Sequence, residues 1–202
     1  MAKSLREKAR MALQRDVSKD LLYFGVIVLS VVVVVNIHEI GHTVFARFFG
    51  DNQATYSLYR LQSDGSLACI GCNAYNETAL SWAGNVVVTL GGVIFSQGLA
   101  LLALWYGRRR KVQRCWHFCK ILVVMCAFDA VFQVLQGMFA DTAHQTGLTR
   151  VDIADFIWLV AGRTGISDIV IKIGIVVVLL VYLWWFGSAY RKAGVLSASS
   201  AD

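Results

Sequence analysis

Four long apolar runs alternate with polar stretches along the chain, at residues 21 to 47, 80 to 106, 117 to 140 and 168 to 188. Each can cross a bilayer core of about 30 Å as a helix, which takes roughly 20 apolar residues. The first opens with Leu21-Leu22-Tyr23-Phe24 and carries valine at every position from Val31 to Val35. Its length and the lack of an Ala-x-Ala-like cleavage site mark it as a retained span rather than a removable leader. The second contains Gly84, Gly91, Gly92 and Gly98, small residues that let helices approach closely where lipid supplies no hydrophobic drive for association. Between these two runs the pattern changes: Thr55 to Leu61 alternates, and Ser63-Asp64-Gly65-Ser66 reads as a turn, which together predict a short β-hairpin at the membrane surface. The expected fold is an all-α membrane protein, a four-transmembrane-helix bundle with a small hairpin-like outer loop. A basic segment over 1 to 20 precedes the four-span domain at 21 to 188, and a short tail follows at 189 to 202.

Composition agrees with this pattern. At 57% hydrophobic and 16% charged, with no proline in 202 residues, the chain is far from the profile of a water-soluble enzyme or a disordered segment. The net charge of +6 raises nucleic acid as a partner, but the cations sit in blocks beside the apolar runs. Lys3, Arg6, Lys8, Arg10, Arg15 and Lys19 form one block, Arg108, Arg109, Arg110, Lys111, Arg114 and Lys120 a second, and Arg191 and Lys192 lie in the tail. The loops at about 48 to 79 and 141 to 167, with the run end that leads into the first, hold only Arg47, Arg60, Arg150 and Arg163. That asymmetry is topology information. It predicts a multi-pass protein with both termini cytoplasmic and the two loops outside or lumenal, with the lipid bilayer rather than nucleic acid as the partner.

Near the far end of the first run stands Asn36-Ile37-His38-Glu39-Ile40-Gly41-His42-Thr43, an H-E-x-x-H sequence on a helix. Histidines at i and i+4 share a helical face, so both imidazoles can ligate one Zn²⁺ while Glu39 acts as general base on a water at the metal. A glutamate within a span costs about 2.5 to 3.5 kcal/mol on the insertion scale, which makes an idle Glu39 a poor choice. The plainer alternative is that the three side chains only hydrogen-bond neighbouring helices.

His38, Glu39 and His42 resemble the site-2 protease family of intramembrane zinc metalloproteases, whose hallmark is H-E-x-x-H inside a transmembrane helix. The resemblance covers about residues 21 to 145. It implies one zinc per chain held by His38, His42 and an aspartate from a later helix, with Glu39 as catalytic base of an endopeptidase acting on a membrane protein or a membrane-adjacent peptide. The family's second motif, an asparagine and proline upstream of Leu-Asp-Gly, is absent, so the chain would be a divergent member. It also departs in side: the charge pattern puts the zinc near the outer face, whereas better-known members hold it nearer the cytoplasm.

The implied aspartate has to be chosen by depth. Counted from Leu21, His38 lies about 26 Å along the first span; counted from Lys120, Asp141 lies about 32 Å along the third and Asp129 about 14 Å. Depth therefore favours Asp141 as third ligand, with His144, Asp129 and an outer-loop cysteine as alternatives. Asp129, Gln133 and Gln136 recur at i, i+4 and i+7, a polar stripe that could glue helices together, line a water path or, through Gln133 and Gln136, hold a substrate backbone. Asn36 could contact an oxyanion or a neighbouring helix.

Cys69 and Cys72 form a C-x-x-C in the first outer loop, where an oxidising compartment would allow a disulfide that closes the hairpin. They also define a rival function, a four-span thiol-disulfide oxidoreductase; a metal-binding membrane protein without catalysis is the third reading. Cys115, His117 and Cys119 have helical spacing but lie beside the basic block, which favours packing over metal. Asn76-Glu77-Thr78 is a glycosylation sequon, meaningful in a eukaryotic host.

Overall fold

The computed structural model describes residues 2 to 109, 113 to 139 and 152 to 198. Helix α1 (Ala2–Phe48) is followed by strands β1 (Thr55–Leu61) and β2 (Leu67–Ala74), then by α2 (Trp82–Arg109), α3 (Gln113–Phe139), α4 (Asp152–Thr164) and α5 (Asp168–Ala198). Four of these helices contain segments long and apolar enough to cross a membrane: Lys19–Phe48, Trp82–Tyr106, Phe118–Phe139 and Asp168–Lys192. They coincide with the four apolar runs, as they must where lipid offers no partner to the backbone and a helix satisfies its own N–H and C=O groups.

The tightest helix contact is between α1 and α2, and it runs through glycine. A Cβ on Gly91 would lie 3.0 Å from the Gly41 carbonyl oxygen and 2.9 Å from Phe45 Cδ2, so only hydrogen lets the two backbones meet at this crossing. Toward the α2–α3 connection the core is built from Val34, Ala100, Leu104, Leu122, Val123 and Phe186. Helix α5 buries very little of its apolar surface against the other helices; it lies at the periphery of the bundle.

Helix α4 corrects the expectation of a plain loop over 141 to 167. It has 13 residues, about 20 Å and too few to cross a bilayer. Ile153 and Ile157 are buried with Val134 of α3, and Leu90, Ile171 and Ile175 pack around them. Asp152 and Asp155 stand in its first turn, where carboxylates complement the positive end of the helix dipole. Trp82 Nε1, at the start of α2, donates to the Leu159 carbonyl at 2.9 Å, and a Cβ on Gly137 of α3 would overlap Ile153. Wedged in this way, α4 holds its first residue against α1.

The hairpin is antiparallel, with Thr55 opposite Ala74 and Tyr59 opposite Ile70. Its turn is closed by Gln62 N–H on the Ser66 carbonyl at 2.8 Å, and Asp64 Oδ1 accepts from both the amide and the hydroxyl of Ser66. It does not lie only at the helix end. Strand β2 runs against α1, and Gly71, with φ 63°, has its Cα so close that an added Cβ would stand 3.1 Å from Glu39 Cγ and 3.2 Å from Val35 Cγ1. The polar residues of the span explain this docking: Tyr56 Oη donates to Asn36 Oδ1 and Asn73 Nδ2 to Glu39 Oε2, satisfying side chains that lipid would leave unpaired. A disulfide joins Cys69 to Cys72. Both cysteines belong to β2, so the bond closes a short loop around Gly71 rather than tying one strand to the other.

Candidate metal centre

The helical spacing of the H-E-x-x-H sequence places His38 and His42 on one face of α1, both buried, with ring centroids 5.0 Å apart. The third group comes from α4. Asp152 Oδ2 lies 2.8 Å from His38 Nε2 and 3.1 Å from His42 Nε2, and the ligand atoms of His38, His42 and Asp152 all lie within 4.8 Å of one another. Among the described residues this is the group of His, Cys, Asp and Glu side chains able to hold a metal ion.

The far side of each ring shows which nitrogen is available. His42 Nδ1 is 2.6 Å from the Val88 carbonyl oxygen of α2. A carbonyl only accepts, so Nδ1 carries a proton, and Nε2 is the nitrogen that faces Asp152 and would offer its lone pair to a metal. His38 Nδ1 is likewise 3.0 Å from a carboxylate oxygen of Asp129, which leaves its Nε2 facing Asp152. With both rings neutral, two lone pairs and a carboxylate oxygen would converge on one point, where a cation fits between them. Two imidazoles and one carboxylate are a known catalytic zinc set, with the fourth position left for water or substrate. The donor chemistry of these residues fits such an ion.

Space for the ring of His38 is made by α2. A Cβ on Gly92 would collide with the imidazole, so α2 presents bare backbone at this point. Glu39, one position along α1, points toward the hairpin, where Asn73 donates to it, and remains within electrostatic reach of both histidines and Asp152.

The other expected residues separate. Gln133 Nε2 lies 3.4 Å from His38 Nε2, so α3 brings it to the centre, whereas Gln136 is exposed. Asn36 is buried and engaged by Tyr56 and by the Val32 carbonyl. Asp141 and His144 lie outside the described residues. Asp129, which depth counting placed about half a span away, touches His38 instead. Counting rise along each span does not report how far two packed helices are shifted along one another, and α3 is placed so that Asp129 comes level with His38.

Asp152 is the residue that sequence reasoning did not weigh. The signal was present, since Ile153, Phe156, Ile157 and Val160 recur at helical spacing behind it, a pattern that marks an amphipathic helix. In comparisons with known proteins, no family model, no curated protein and no solved structure matches this chain.

Proposed function

We propose that the protein is an intramembrane zinc metalloprotease of the site-2 protease type, hydrolysing a peptide bond of a membrane-embedded or membrane-adjacent protein or peptide. The observation that carries this reading is the convergence of His38 Nε2, His42 Nε2 and Asp152 Oδ2 inside an apolar bundle, with a glutamate adjacent in sequence to the first histidine. When bound, a zinc ion supplies a Lewis acid that polarises the scissile carbonyl and makes water acidic enough to lose a proton near neutral pH. Glu39 takes that proton from the attacking water and returns it to the leaving amine, so one carboxylate serves first as base and then as acid. Gln133 stands beside the histidines, its Nε2 3.4 Å from His38 Nε2, where its amide would meet a substrate carbonyl. The hairpin lies against Glu39, where an extended substrate strand can pair with its backbone. The charge asymmetry of the chain supports cytoplasmic termini, with the hairpin and the metal centre toward the other face.

The test is Glu39→Gln. The amide keeps the shape of the side chain but cannot take the proton, so cleavage of a membrane substrate falls to background while the protein still binds zinc. Retained turnover rules out Glu39 as the base. A thiol-disulfide oxidoreductase acting through the Cys69–Cys72 bond predicts the opposite dependence: loss of activity in Cys69→Ser and none in His38→Ala.

A further inference from the structure

We propose that Asp129 is the positioning residue of the metal centre, holding His38 from behind in the ring orientation and tautomer that a metal ligand requires. The inference rests on the metal reading of the same site. Asp129 Oδ2 lies against His38 Nδ1 at 3.0 Å, the nitrogen on the opposite side of the ring from the one that faces Asp152. It is therefore outside the ligand cluster and in contact with the single ring position that a ligand histidine has to spare. Metal-bound histidines commonly give that second N–H to a carboxylate, which fixes the ring and makes the ligand nitrogen more basic.

The carboxylate is itself held. Ser96 Oγ of α2 donates to Asp129 Oδ2 at 2.6 Å, and Ser96 is completely buried. Gln97 Nε2 donates to Ser96 Oγ at 3.1 Å and to the Cys126 carbonyl at 2.7 Å, and its Oε1 accepts from Tyr182 Oη of α5. From Tyr182 through Gln97 and Ser96 the donors point one way, toward Asp129, which in turn accepts from His38. Helix-to-helix adhesion alone would leave the end of this chain at His38 Nδ1 unexplained. A carboxylate in a span is costly, and here its compensation comes from a hydroxyl and an imidazole that aim it.

The measurement is zinc affinity of the purified full chain by chelator competition, with the visible spectrum of the Co²⁺ form as a reporter of ring geometry and thermal unfolding of the metal-free form as a control for folding. Asp129→Leu keeps the size and removes the acceptor; it is expected to weaken zinc by about 10- to 100-fold and shift the Co²⁺ spectrum. Asp129→Asn keeps an oxygen that accepts from Nδ1–H and is expected to restore affinity to within about 10-fold of the parent. Wild-type affinity in Asp129→Leu overturns the proposal. So does loss of metal in both variants as complete as in Asp152→Ala, which would make Asp129 a ligand. If Asp129→Leu does not fold, Ser96→Ala carries the test: a several-fold loss supports the clamp and unchanged affinity refutes it. His38→Ala separates the two levels, since zinc binding that survives it removes the metal reading itself and not only the role of Asp129.

Discussion

Asp152 Oδ2 stands between two imidazole nitrogens at 2.8 and 3.1 Å, and no other described carboxylate faces both rings. Asp152→Ala should lower zinc affinity by more than about 100-fold, beyond the loss typical of outer-shell partners, measured by dialysis against a chelator and metal analysis. Asp141→Ala should keep the metal; the reverse result would move the third ligand to the segment beyond α3. The difference between these two aspartates shows what a single chain exposes to reading. His38, Glu39 and His42 were legible because their relation is local, fixed by one helical turn. Asp152 contacts them from more than a hundred residues away, on a short helix embedded in polar sequence, so no spacing rule connects it to the motif. Asp129 was visible as a polar residue in an apolar run, but its depth relative to His38 depended on how α1 and α3 are shifted along one another, which no count within a single span reports.

At the level of elements, the four spans and the hairpin followed from period and length, since both patterns are repeated along several turns or pairs. What did not follow was the seat of α4, which is set by complementarity between helices. Gly137 is the contact that decides it: a Cβ there overlaps Ile153 and would stand 3.2 Å from the Ala154 amide nitrogen. Gly137→Ala should therefore push α4 off α3, cost about 1 to 3 kcal/mol as overpacking does, and weaken zinc because Asp152 moves with the helix. Gly98→Ala is the control, since a Cβ at that position meets nothing within 4 Å. Thermal unfolding in detergent and zinc competition on the two variants check the pair; equal behaviour would show that α4 is not held by this contact. The hairpin, too, found its place by complementarity, because polar groups on α1 needed partners and Gly71 left room for β2 to supply them.

For the whole molecule, charge and geometry make a joint statement about sides. The hairpin tip belongs to the outer face and the basic stretch between α2 and α3 to the cytoplasmic face if the asymmetry of lysine and arginine sets the topology. In a protein keeping Cys69 and Cys72 but with the other cysteines replaced, a membrane-impermeant thiol reagent on intact cells should label Gly65→Cys and leave Arg110→Cys untouched. The inverse pattern would invert the bundle and bring the metal centre to the cytoplasmic side. The centre also has a topological meaning of its own. Its ligands come from α1 and from α4, separated by 114 residues between His38 and Asp152, so an ion held there would act as a reversible cross-link closing most of the chain into one loop. Binding to the folded form alone contributes about 2.7 kcal/mol when free metal exceeds its dissociation constant a hundredfold, and the loop so closed includes the hairpin, α2 and α3. Resistance to unfolding would then rise and fall with the supply of metal, and a cell that withheld the ion would loosen the fold along with the chemistry.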